Sequence, residues 1–160
     1  MGLLNTELAK RALNAPRVIA LLKATVPPTD KFLMRVSRGW VNTGMQSVVL
    51  LETRGAKSGK LREIVTLCMP IGSKPGGDLL LVGSNWGTHK DPAWVHNLRG
   101  TPQANIIYRG YKGAVTAHEL SAVERADVWD TLVAFNPQYA QYQTMTERTL
   151  PIMRLSKRQH

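Results

Sequence analysis

Apolar positions follow two rhythms along this chain. Up to residue 25 they recur every three to four positions: Leu4, Leu8, Ala12, Ala15, Ile19 and Leu22 share a face, with Lys10, Arg11, Arg17 and Lys23 off it. That spacing predicts an amphipathic helix. Pro16 must break or kink it, because proline removes a helical hydrogen bond and crowds the preceding turn. TVPPTD (25–30) is a stop and a fresh start. Thr29 or Asp30 is the expected cap of a short basic helix, KFLMRVSRGW, ending near Gly39.

The rhythm then becomes β-branched and apolar in short runs. SVVLLET (47–53), LREIVTLCM (61–69), LLLVGS (79–84), ANIIYRG (104–110), KGAVTAHEL (112–120) and LPIMRL (150–155) read as strands bounded by glycine-containing turns. Two helical stretches interrupt them. HKDPAWVHNLRG (89–100) has Asp91 as cap, Pro92 at the first helical position and Gly100 as stop. SAVERADVWDTLVAF (121–135) opens with Ser121 and Glu124, a capping box, and is expected to bury Val128, Trp129, Leu132 and Phe135. Without βαβ alternation, this order predicts a mainly β protein with peripheral helices (α+β), its sheet mostly antiparallel or a small barrel.

The 160 residues suit one core. A formal net charge of +10 attracts anions, whether nucleic acid, an anionic membrane surface or a phosphorylated or carboxylated small molecule. The basic residues are scattered and no nucleic-acid reading motif is present, so nucleic acid is the weaker partner. The single cysteine, Cys68, excludes an intrachain disulfide and fits a reducing cytoplasm. No run approaches the ~20 apolar residues of a membrane span. The N-terminal helix would at most contact anionic lipid peripherally, on the inner face of the membrane.

Three stretches carry candidate chemistry. TRGAKSGK (53–60) joins two strands. It fails as a P-loop: its glycines are one residue too close, and Leu61 replaces the hydroxyl residue that would meet magnesium. Two readings remain, a solvated basic turn or an anion nest of backbone N–H groups around Lys57, Ser58 and Gly59. VGSNWGTHKDPAWVHNL (82–98) runs a strand into small polar residues, which allow a flat ligand to approach, or forms an ordinary loop with Trp94 in the core. Tyr139 and Tyr142 share a face if their segment is helical. They either pack in the core or line a pocket. The four histidines form no metal-spaced cluster, and no nucleophile elbow or triad is present.

In this order and spacing, LLETRGAKSGKLR, GSNWG with DPAWVHNL, and NPQYAQYQTMTERTLPI resemble the deazaflavin (coenzyme F420)-dependent nitroreductase and quinone reductase family, small actinobacterial flavin/deazaflavin oxidoreductases. The resemblance spans about residues 29–155 and implies a split β-barrel like that of FMN-binding proteins. It divides the chain into a helical extension, 1–28, and a deazaflavin-binding barrel, 29–160.

It also implies coenzyme F420 as cofactor, with FMN as the lesser alternative. Lys57, Ser58 and Gly59 match the loop that holds the cofactor phosphate; Arg54, Lys60 and Arg62 are the nearby candidates for its acidic tail. Thr66, Leu67 and Cys68, with Leu81, Val82, Gly83, Ser84 and Asn85, match segments lining the deazaflavin ring. Trp94 and Asn97 match the helix closing over the cofactor, and Tyr139 and Tyr142 the substrate pocket. The implied reaction passes a hydride from the reduced cofactor to a quinone-like, nitroaromatic or unsaturated hydrophobic acceptor. Solvent, Ser84 or a tyrosine hydroxyl would supply the proton. Asn136 stands where relatives that reduce bulky nitroaromatics show a further tyrosine, and Asn85 replaces a basic residue found in some members; both weigh against nitro reduction. Relatives of this fold often pair, so a homodimer is also implied. A non-enzymatic lipid or cofactor carrier on the same barrel is the competing reading.

Overall fold

The computed structural model describes residues 28–40, 47–72 and 76–158. The expectations for the N-terminal helix and its kink at Pro16 lie outside them. Residues 28–36 form helix α1. Thr29 and Asp30 therefore lie within that helix and do not cap its start. The strands are β1 (Val48–Arg54), β2 (Leu61–Leu67), β3 (Met69–Pro70), β4 (Leu79–Val82), β5 (Gln103–Tyr108), β6 (Tyr111–Glu119) and β7 (Ile152–Lys157). Helix α2 (Ala93–Gly100) follows β4, and α3 (Ala122–Phe135) and α4 (Gln138–Thr144) lie between β6 and β7.

All the pairings are antiparallel, and the order across the sheet is β2-β1-β5-β6-β7-β4-β3. The two outermost strands, β2 and β3, are neighbours in sequence, separated only by Cys68. A sheet whose opposite edges are covalently continuous must curl on itself. Together with the usual strand twist, that connectivity produces the split-barrel architecture.

Alternation along the strands sorts side chains into three apolar groups. Val49 and Leu51 of β1, Leu79 and Leu81 of β4, Ala104 and Ile106 of β5, Val115 of β6 and Met153 and Leu155 of β7 point inward, with Trp94, Val95 and Leu98 of α2 packed among them. Leu80 and Val82 of β4 and Ile152 of β7 point outward, under Leu132 of α3 and Tyr139 of α4. Val48 and Leu50 of β1 and Ile107 of β5 point outward on another side, against Met34 of α1. β4 is buried on both faces, which is why LLLV reads as continuous apolar sequence.

Ser121 and Glu124 make the expected capping box on α3. Leu132 is buried, but Phe135 is 38% exposed. Pro92 occupies the N-cap of α2, and no side chain caps that helix. Asp91 is not the cap; its carboxylate binds two arginines instead.

Candidate active site

The 55–60 loop is closed by its own backbone. Gly55 N–H donates to the Lys60 carbonyl and Gly59 N–H to the Gly55 carbonyl, each at 2.8 Å. Gly59 has φ +68°, and a Cβ there would meet nothing within 4 Å. Glycine is required there by conformation, not by space. Arg54 donates to the Gly59 carbonyl at 2.8 Å, and Lys60 N–H donates to the Ser58 hydroxyl at 3.2 Å. Ala56 N–H donates to Asn97 Oδ1 at 2.9 Å, and Asn97 Nδ2 donates to Thr53 Oγ1 at 3.0 Å. Asn97 is buried, so α2 grips the loop from beneath. The amides of Lys57 and Ser58 donate to no described residue. Two adjacent unused donors, with the exposed Lys57 and Lys60 side chains beside them, make an anion nest.

From the loop, β2 leads to a cavity. Its register pairs Arg62 with Thr53, Ile64 with Leu51 and Thr66 with Val49, so these three residues share the face that bears Thr53, Leu51 and Val49. The five steps from Leu61 to Thr66 span about 16 Å at the usual strand rise. The cavity, of about 930 Å³, is walled by Ile64, Val65, Thr66 and Leu67 of β2, by Val82, Ser84, Asn85 and Trp86, by Pro92 and Trp94 at the start of α2, and by Phe135–Asn136–Pro137–Gln138–Tyr139 and Tyr142. Asp30, Ser47 and Val48 complete it.

The wall at Asn85–Gly87 is a left-handed turn. Asn85, Trp86 and Gly87 have φ of 43°, 59° and 73°. Asparagine enters this region more readily than most residues, whereas for Trp86 the conformation costs about 1–2 kcal/mol. Asn85 Nδ2 donates to the Lys90 carbonyl at 2.9 Å, and Thr88 N–H and hydroxyl both donate to the Asn85 carbonyl. The turn presents Trp86, 57% exposed, edge-on to Tyr142 with ring centroids 6.4 Å apart. Behind it, Arg148 donates to the carbonyls of Gly83, Ser84 and Thr88 and to Asp91 Oδ1.

Burial pushes the Tyr139 phenol up to about 12, partly opposed by a hydrogen bond with Asn136. Burial also raises Tyr142, whose hydroxyl donates to Gln138 Oε1 at 3.3 Å. Both rings are neutral donors at physiological pH and not bases. Burial likewise raises the Cys68 thiol to about 12, so it is an inert packing group.

The cavity thus gathers Thr66, Leu67, Val82, Ser84, Asn85, Trp94, Tyr139 and Tyr142 from the expected site. Cys68 and Leu81 are both fully buried in the barrel interior, behind the wall and not on it. Gly83 lies behind it too: a Cβ there would come within 2.8 Å of Pro151 and Val95. Lys57, Ser58, Gly59, Lys60, Arg54 and Arg62 belong to the loop end. Asn97 does not line the cavity and anchors the loop. Trp86, Phe135, Pro137, Gln138 and Arg148 are additions. Trp86 lies within GSNWG, and Pro137, Gln138 and Arg148 lie within the NPQYAQYQTMTERTLPI stretch. Among the described residues no group of three or more His, Cys, Asp and Glu is placed to hold a metal. None of their helices is long and apolar enough to cross a membrane.

Comparison with known proteins brings these features together. The family model described as F420H(2)-dependent quinone reductase matches residues 29–157. An F420H(2)-dependent quinone reductase of Mycobacterium tuberculosis is 30% identical over 118 residues, 72% of this chain and 76% of the relative. Among solved structures, an F420-H2 dependent reductase (FDR-A) superposes with a TM-score of 0.59 at 32% identity, covering 69% of this chain and 94% of that one. A structure described as a domain-swapped dimer gives a TM-score of 0.61 at 30% identity, covering 81% and 99%.

Proposed function

The chain belongs to the F420H(2)-dependent quinone reductase family, and on that premise we propose that it reduces a quinone-like, hydrophobic acceptor bound in the cavity beside Trp86 and Tyr142. It is an F420-dependent reductase, an oxidoreductase of the split-barrel fold. When bound, reduced coenzyme F420 supplies a hydride from the C5 carbon of its deazaflavin ring.

The observation that carries the assignment of ends is the pair of unused amides at Lys57 and Ser58, one strand length from an aromatic cavity. Phosphate fits the nest, and the acidic tail fits Lys60, Arg62 and the exposed part of Arg54. The flat ring then follows the Arg62–Ile64–Thr66 row into the cavity. Trp86, Phe135 and Tyr142 offer an apolar face for the acceptor. Their contribution is to exclude water and hold the acceptor within roughly 3–3.5 Å of the reacting carbon. The Tyr139 hydroxyl stays protonated because it is buried, and it would donate a hydrogen bond to an acceptor carbonyl oxygen. Ser84 Oγ is the second donor on the wall. Asn136 in place of a further aromatic leaves one side of the cavity polar, which favours a quinone oxygen over a bulky nitroaromatic.

The test is steady-state oxidation of F420H2 with 2-methyl-1,4-naphthoquinone and, in parallel, a bicyclic nitroaromatic. Turnover with the quinone and a much lower kcat/KM with the nitro compound are expected. The reverse preference would overturn the acceptor assignment. The reading extends to two associations. A homodimer would resemble the homologous structure described as a domain-swapped dimer; light scattering reads it as twice the 17.7 kDa chain mass. Residues 1–28, outside the family match, would add contact with anionic lipid; vesicle sedimentation with and without that segment reads it.

A further inference from the structure

The geometry points to Arg148 as a positioning residue for the reaction: its guanidinium holds the left-handed Asn85–Gly87 turn, and with it Trp86 and Ser84, in the shape the cavity needs. This rests on the reductase reading above for its catalytic consequence, but its structural basis is independent.

Arg148 is a forked donor with four used directions. Nε donates to the Thr88 carbonyl at 2.8 Å and Nη2 to the Ser84 carbonyl at 2.8 Å. Nη1 donates to the Gly83 carbonyl at 3.1 Å and to Asp91 Oδ1 at 2.6 Å. The side chain is only 15% exposed. Its bonds bracket the turn on both sides, at residues 83–84 and at 88 and 91, while between them Trp86 adopts a φ of 59° that a bulky aromatic residue rarely chooses. A lysine ammonium cannot reproduce a planar fork that reaches three carbonyls and a carboxylate together.

Arg148 is itself held from the opposite wall. Gln143 of α4 donates from Nε2 to the Arg148 carbonyl at 2.7 Å, and its Oε1 accepts from Leu150 N–H and Arg125. Arg148 thus ties the turn carrying Trp86 to the helix carrying Tyr139 and Tyr142. Asp91 continues the connection to Arg99, and Arg99 pairs with Glu119 of β6. By contrast, Arg148 makes no bond to the 55–60 loop, which Asn97 and Arg54 secure. Its loss should therefore separate ring-end geometry from phosphate-end binding.

The variant is Arg148→Lys, read in two ways. In cofactor-free protein, hydrogen exchange of the 83–91 peptide should accelerate at least ~10-fold, because the Gly87 and Thr88 amides bond within the released turn, while the β5–β6 hairpin keeps its protection. In the loaded enzyme, kcat with 2-methyl-1,4-naphthoquinone should fall about 10- to 100-fold, the loss expected for a misplacement near 1 Å. The dissociation constant for F420 should stay within about threefold, since the loop anchors are intact. Unchanged exchange at 83–91, or exchange rising equally throughout the sheet, overturns the assignment; so does a kcat within twofold of wild type. Should Arg148→Lys fail to fold, Asp91→Asn removes the carboxylate from the same fork and should give a smaller acceleration confined to 83–91; no local acceleration there counts against the proposal. If the wild-type protein neither binds F420 nor reduces the quinone, the reductase reading falls, and the exchange experiment still decides the role of Arg148.

Discussion

Replacing Asn97 with Leu keeps the side-chain volume close to native and deletes both of its hydrogen bonds. Thr53 Oγ1, on a residue 2% exposed, loses its donor with no route to water. A buried acceptor left alone costs about 1–3 kcal/mol. The Ala56 N–H bond contributes about 0.5–1.5 kcal/mol more. The total of roughly 2–4 kcal/mol corresponds to a Tm lower by about 5–15 °C for a chain of this length. Only the Ala56 share belongs to the loop. If binding must restore that order, about 1 kcal/mol becomes roughly a fivefold higher Kd for F420. Thermal melts and a fluorescence titration of F420 measure the two quantities on the same sample. Asn97→Asp is the control: it keeps an acceptor for Ala56 N–H and loses the donor to Thr53, so Tm should fall while Kd moves less than in Asn97→Leu. A lower Tm with identical Kd values in wild type and Asn97→Leu would refute the idea that α2 organises the loop.

The same geometry predicts four further outcomes. Gly59→Ala forces φ +68° on a residue with a Cβ; about 1–2 kcal/mol of strain should weaken F420 binding several-fold in the titration, with no new clash to relieve. Lys57→Ala with Ser58→Ala should raise the F420 Kd several-fold and flatten its salt dependence, because the amides stay and the side-chain donors and charge go. Tyr142→Ala should change quinone KM or kcat more than F420 affinity; the opposite pattern in a kinetic and binding comparison would move that ring to the cofactor. Tyr139 has its pKa raised to about 12 from 10, so the folded state holds its proton longer than the unfolded state. Its contribution is complete below pH 10 and is lost as pH rises toward 12, about 2–3 kcal/mol by linkage. Tyr139→Phe should flatten that alkaline decline in urea unfolding measured from pH 9 to 12.

Local patterns suffice to find the strands, the capping box and the basic hairpin, because each is written within a few neighbouring residues. Val49 and Leu51 alternate with Val48 and Leu50, and the two faces meet different apolar groups as the period requires. Closure of the barrel is less local. It follows only once β2 and β3 are placed at opposite edges of the sheet while adjacent in the chain. Side chains whose partners are far away are the ones local pattern misreads or misses. Asp91 has the residue type and position of a helix cap, yet Arg148, 57 residues on, and Arg99 compete for its carboxylate and win. Asn97 matches the helix that closes over the cofactor, and its further hold on the loop is invisible to local pattern because its partners, Thr53 and Ala56, lie more than 40 residues earlier. Phe135 fits an apolar helix face and ends as a half-open wall of the cavity, since α3 terminates there and the chain turns into α4. Asn85 is a residue type that tolerates positive φ but Trp86 is not, and the bonds from Arg148 and Thr88 that brace the turn come from outside it.

The central claim is that the 55–60 nest holds the phosphate of a deazaflavin whose ring occupies the cavity. Its most direct measurement is a fluorescence titration of the purified protein with coenzyme F420, and separately with FMN, at physiological salt. The account predicts saturable binding of F420, weakened by inorganic phosphate and by Gly59→Ala, and weaker binding of FMN. Preference for FMN, or F420 binding indifferent to both phosphate and the loop substitution, would contradict it.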